Sequence, residues 1–294
     1  MVLLICVLLA TVGPSGADVY FEEEVVNPGF GKSKTGARKP TKKVYLKGRR
    51  QMVESRIAAD KKTARALKKQ GQSLNTSTIL RLDKAEIYEI DLTARTFVRQ
   101  SAPPVRRAAK KTAAQKGAPK LDFAVRVVRD TVGVGKIPCR EVVAQLRARY
   151  RDPKTNKPKR ENRYTYEACI AKRFPGYREI AAFQTLHDTT TAYASIIGGG
   201  LESLEDAAAL GAELEGAAEL QGFALRSKLT ATVKTAKQKK PREVFRLERR
   251  VKALAHASLP DSLFQVSKSL TRLKGRTLSP PAQELARLLK NKGS

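Results

Sequence analysis

The sequence predicts an α+β protein built on one curved antiparallel sheet packed against helices. Three observations carry that expectation. Apolar and polar residues alternate in short runs broken by turns from residue 18 to residue 171. The alternation gives way to a helical period between 177 and 220, and strand-like runs return from 223 to 259. Strands, then a helical insert, then more strands suit a single sheet with helices against one face. A chain of 294 residues is long enough to bury a sizeable core in one domain.

Residues 1–17, MVLLICVLLATVGPSGA, are uncharged and apolar. The run from Val2 to Val12 is shorter than the roughly 20 residues a membrane span requires. It reads as the apolar region of a signal peptide, with Ser15 and Ala17 as the small residues before a cut at Asp18. A buried N-terminal strand is the other reading. Cys6 has no small-residue lipobox before it, so it is not read as lipidated. The expected location is periplasmic or secreted, with no transmembrane span after signal removal.

DVYFEEEVV (18–26) is the first strand candidate. KKVYLKGRRQMVES (42–55) reads as a hairpin turning near Lys47-Gly48, and TILRLDKAEIYEIDL (78–92) as another around Asp83-Lys84. RTFVRQ (95–100) follows. Residues 101–120 hold six Lys/Arg, three Pro and no acid, a basic loop or loose helix. Strands resume with LDFAVRVVRD (121–130), IPCREVVAQLRARY (137–150) and RENRYTYEACIA (160–171).

The helical insert spans 177–220, broken at Gly198-Gly199-Gly200. Residues 179–225 carry eight acids and no Lys or Arg. Leu201, Leu204, Ala208, Gly211 and Leu214 recur at spacings of three and four, one face of a helix. That stripe is expected on the sheet, with the acids toward solvent or toward basic strand residues. FALRSKLTATV (223–233) and EVFRLERRVKALAHASL (243–259) complete the strands, and 274–294 reads as a tail helix. The domain is therefore placed at 18–273.

Cys139 and Cys169 flank the turn DPKTNKPK. A turn centred on Lys154 sets them directly opposite each other, with Val142 facing Tyr166, Ala144 facing Tyr164 and Arg147 facing Glu161. Directly opposed residues at a non-hydrogen-bonded site lie about 4.5–5.5 Å apart at Cα, within disulfide reach. Two buried thiols are the alternative, and an exported chain favours the bond.

No nucleophile elbow, P-loop or HExxH motif occurs, and His187 and His256 have no partners at metal-ligand spacing. No catalytic, cofactor-binding or metal residue is assigned, and no cofactor is expected. The net charge is +30, an attraction for any polyanion but no guide to fold. Residues 32–69 hold fifteen Lys/Arg against Glu54 and Asp60. They read either as a surface for nucleic acid, anionic lipid or lipopolysaccharide, or as a solvated basic face. No nucleic-acid-binding motif accompanies them, and aromatics are 6%.

VYLKGRRQMVES, ILRLDKAEIYEIDLTARTF, VGKIPCREV, YEACIAKRFPGYREIAAFQ and LPDSLFQV together resemble an uncharacterised family of secreted bacterial proteins with a LolA/LolB-like lipoprotein-carrier pattern. Phe174-Pro175-Gly176-Tyr177 resembles that family's entry from strand to helix. The resemblance implies an antiparallel half-barrel whose concave face is covered by helices and holds an acyl chain or another apolar ligand. The expected function is therefore a non-enzymatic envelope protein that binds a lipid-like ligand or a partner. Val142, Ala144, Leu146, Tyr164, Tyr166, Leu201, Leu204 and Leu214 are the expected cleft residues. Polyanion binding through 32–69 is the second reading, and a hydrolase of unassigned type the third.

Overall fold

The computed structural model describes residues 18–26, 39–58, 64–65, 73–101, 119–152, 154–186 and 206–274. The signal-like segment 1–17, residues 102–118 of the basic loop, His187, the triple glycine, Leu201, Leu204 and residues 275–294 of the tail lie outside them.

Twelve strands form one open, curved sheet. In chain order they are β1 (Val19–Val26), β2 (Pro40–Lys47), β3 (Arg50–Ile57), β4 (Asn75–Arg81), β5 (Glu86–Asp91) and β6 (Thr96–Ser101). β7 (Lys120–Val132), β8 (Pro138–Arg151), β9 (Pro158–Ala171), β10 (Phe223–Thr235), β11 (Arg242–His256) and β12 (Thr271–Arg272) follow. Among the described residues, two α-helices, α1 (Tyr177–Leu186) and α2 (Ala207–Gly216), fall between β9 and β10. Each strand expected from the sequence is present within a few residues of its expected ends. The described chain is mostly β.

The spatial order is β12-β6-β5-β4-β3-β2-β1-β11-β10-β9-β8-β7. Two antiparallel meanders, β1–β6 and β7–β11, meet where β1 pairs with β11. β12 adds in parallel beside β6. Local chemistry explains the hairpins. Gly48 opens the two-residue turn between β2 and β3 at φ 55, the left-handed region that glycine enters at little cost.

Alternation sets the faces. In β1, Val19, Phe21, Glu23 and Val25 are buried, and the cross-strand register puts Val44, Val53 and Thr78 on the same inner face as Phe21. Tyr45, Met52, Ile79 and Tyr88 line the outer face of the same strands. Leu259 and Phe264, from the segment after β11, pack onto that outer face with Met52, Ile79 and Ile90. This half of the sheet is thus buried on both sides, which the alternation alone did not announce.

Cys139 and Cys169 are disulfide-bonded, with Cα atoms 5.4 Å apart. Their register differs from the expected one by two residues. Glu141, not Cys139, pairs with Cys169; Ala144 pairs with Tyr166, Leu146 with Tyr164 and Arg147 with Arg163. The turn includes Asn156 at φ 54, and its centre lies one residue beyond Lys154. A two-residue shift keeps every side chain on its face, so the cysteines still share one, as a diagonal pair within bonding range.

Candidate functional site

A cavity of about 360 Å³ lies against the inner face of β1–β5. Phe21, Val44, Leu46, Val53, Leu80 and Ile87 supply apolar wall from the strands, and Phe223 adds an aromatic ring from β10. α1 contributes Ile180, Phe183 and Gln184. The volume is in the range of small-molecule sites, roughly 300–1,000 Å³.

The entry to α1 explains how that helix reaches the wall. Gly176 sits at φ 87, and a Cβ there would stand 2.7 Å from Cγ2 of Val19, so both backbone and space demand glycine. Phe174 packs on Phe223 and Tyr177, with ring centroids 5.8 and 5.6 Å apart. The helix expected to begin near Tyr177 begins there.

Four charged residues interrupt the apolar lining, three of them clustered. Arg249 of β11 is 4% exposed and Glu23 of β1 is 4% exposed. Arg249 donates from Nε to Glu23 at 2.5 Å and from Nη1 to the Ala224 carbonyl at 2.8 Å. Its guanidinium lies 5.3 Å from the centre of the Phe223 ring. Lys42 of β2 approaches the other oxygen of Glu23 at 3.8 Å. Burial holds the Lys42 ammonium below the usual lysine range; Glu23 opposes that shift and Arg249 adds to it. Gln51, Thr78, Glu89 and Gln184 complete the polar lining.

The expected cleft residues lie elsewhere. Val142, Ala144, Leu146, Tyr164, Tyr166 and Leu214 come together, all buried, in one core cluster with Leu210, Leu229 and Phe245. They fill that region, and none of them lines the larger cavity. Tyr166 borders only a void of about 30 Å³ beside Arg249. Leu201 and Leu204 are outside the described residues. Of the expected stripe, Ala208, Gly211 and Leu214 fall on α2, and the stripe omits Leu210, which is 1% exposed beside Leu214 at 0%.

One acid of the insert corrects the expectation that they face solvent or basic residues. Asp206 is buried and accepts hydrogen bonds from Tyr150 at 2.5 Å, Tyr164 at 2.7 Å and Asn162 at 2.9 Å. Three described donors hold the carboxylate and tie the start of α2 to β8 and β9. Burial, then the bond to Asp206, pushes the Tyr164 hydroxyl well above the usual tyrosine range.

Among the described residues no group of three or more His, Cys, Asp or Glu is gathered to hold a metal, and no helix is long and apolar enough to cross a membrane. No protein-family model matches the chain, and no characterised protein matches its sequence.

The sequence did carry a signal for the cavity charges. Glu23, Lys42 and Arg249 each occupy the apolar phase of an alternating strand, between Phe21 and Val25, before Val44, and between Leu247 and Val251.

Proposed function

We propose that the chain is a non-enzymatic, exported envelope protein that holds an apolar or acyl-chain ligand in the cavity against β1–β5. The observation that carries this reading is the cavity itself, about 360 Å³ of largely apolar wall with one charged side. In this reading the sheet acts as a half-barrel and the helices cover its concave face, α1 over the cavity and α2 over the filled half. The resemblance to lipoprotein carriers points the same way. The disulfide is of the kind kept in oxidising compartments, which supports export.

The hairpin within 32–69 gives less support to polyanion binding. Lys42 and Lys43 face Glu23 and Glu22, and Lys47 and Arg50 converge on Asp261 at 3.0 and 3.2 Å. Much of its described charge is balanced inside the fold.

The test is uptake of a fluorescent fatty acid by protein stripped of bound lipid, with mass spectrometry of the organic extract before stripping. Saturable uptake of one probe per chain is expected. Absence of both a bound chain in the extract and uptake by the stripped protein overturns the reading.

A further inference from the structure

We infer that the outer face of β7–β11 is a docking surface for an anionic phospholipid bilayer, separate from the cavity and from the 32–69 run. The face is open over much of its area: Arg129, Arg226, Arg149 and Arg163 are 69, 61, 42 and 42% exposed at their side chains. The register sets arginine directly across from arginine twice, Arg147 facing Arg163 and Arg226 facing Arg250. Like charges at directly opposed positions cost stability.

Acids on the face are outnumbered by its cations; two are shared, and Glu167 is taken by Lys228 at 3.8 Å. Glu141 serves both Arg129 and Arg226, and Glu161 serves Arg149 at 3.7 Å and Arg163 at 3.0 Å. Asp122, across from Arg147, is engaged by Arg149 at 3.4 Å. Glu24, across from Arg250, is engaged by Lys252 at 2.9 Å. External anions complete what the acids leave short.

The shape and composition of the face choose the partner. Five adjacent strands about 4.8 Å apart make a broad surface rather than a groove. Its outward ladder positions carry Arg, Lys, Thr, Gln, acids, Ala124, Val143 and the disulfide, but no aromatic ring on which a base could stack. On the edge strand β7, Leu121 and Val127 pair with the buried Ala148 and Val142 and belong to the inner face, so the outer face ends there on Asp122, Arg126 and Arg129. A broad basic face with no stacking rings matches a negatively charged headgroup layer.

The experiment is co-sedimentation of the full chain with vesicles of phosphatidylcholine containing phosphatidylglycerol, against pure phosphatidylcholine and a DNA duplex. Arg147→Glu with Arg226→Glu turns both arginine pairs into opposite-charge pairs. Lys84→Glu with Lys268→Glu makes the same change of net charge at exposed positions on the other half. The first variant sets new acids near Asp122 and Glu141, so thermal unfolding is measured beside binding, and Arg147→Gln with Arg226→Gln serves as its milder form. Binding to the anionic vesicles is expected to fall more than about tenfold in the first variant and to stay within about twofold in the second. Failure of the parent chain to bind these vesicles, equal losses in both variants, or tighter retention by DNA overturns the inference. Uptake of the fatty-acid probe by the same variants is expected to be unchanged, so this result stands or falls separately from the cavity.

Discussion

Arg249 and Glu23 form an ion pair across the β1–β11 seam, the ladder that joins the two meanders, with Nε 2.5 Å from the carboxylate. Both side chains are almost fully buried in the wall of a cavity that is otherwise largely apolar. Desolvating two charges offsets most of their attraction, so such a pair adds little net stability. What it does is make one partner indispensable to the other. It also gives the seam a register that an apolar pair would leave less defined.

The first prediction follows from that dependence. Glu23→Gln leaves the Arg249 guanidinium buried with Ala224 as its remaining strong acceptor. The loss is expected at about 3–5 kcal/mol in urea unfolding. The double change Glu23→Leu with Arg249→Met should recover most of it. Equal destabilisation by single and double variants would show that the charges do not depend on each other.

Much of this arrangement was legible in the sequence. Alternation placed the strands, because half-buried strands on a curved sheet have no other way to sort their side chains. Phe174-Pro175-Gly176-Tyr177 marked the start of α1, since only glycine fits against Val19 there. The cavity was not located, for a physical reason. Periodicity says which side chains point inward, but not whether the inward space is filled. Val142 and Val44 have the same local pattern; one packs against α2 and its neighbours, while the other faces open volume. The two-residue register shift was equally hidden, because it leaves every side chain on its own face.

The disulfide closes a loop with a sequence separation of 30. By the chain-entropy argument it restricts the unfolded state by roughly 3–4 kcal/mol. Cys139→Ala with Cys169→Ala should therefore lower unfolding stability by about that amount. Non-reducing peptide mapping of the parent chain should recover the linked pair. Free thiols at both positions in freshly purified protein would contradict the bond.

Asp206 should matter more than a surface acid. Asp206→Ala strands the hydroxyls of Tyr150 and Tyr164 and the amide of Asn162 beside an apolar cluster. A cost of about 2–4 kcal/mol is expected from the lost charged acceptor and its unmatched donors. Leu214→Ala, at a fully buried site on the same helix, should cost roughly 2–5 kcal/mol. Wild-type stability for Asp206→Ala in thermal unfolding would mean that α2 is held by its leucines alone.

Lys42 predicts a pH dependence. Its folded pKa lies below the unfolded value because burial disfavours the ammonium. Between those two values the unfolded chain binds more protons, so stability rises with pH; below the window the cost of the buried charge is fully present. Lys42→Met removes the cost. The variant should exceed the parent in stability at neutral pH, and the gap should narrow as pH rises toward the ordinary lysine value of about 10.4. A gap constant from pH 7 to pH 10 would show that the Lys42 charge is not penalised.

Filling the cavity separates empty volume from binding site. Val44 is 4% exposed and lines the cavity from β2, beside Phe21 on β1 and Val53 on β3. In a well-packed core, a larger side chain at such a position forces its neighbours out of their rotamers and costs about 1–3 kcal/mol. Here Val44→Phe has open volume to enter, so the substitution should be neutral or stabilising, with a gain of up to about 1–2 kcal/mol. The same ring occupies space an acyl chain would use. Uptake of the fluorescent fatty acid should therefore fall while the melting temperature holds or rises. A matched change in the filled half, Ala144→Leu, should show the reverse, with lower stability and uptake per folded chain unaffected. If Val44→Phe lowers stability as much as Ala144→Leu does, the space is not open to side chains. If it raises stability and leaves uptake intact, the ligand binds elsewhere.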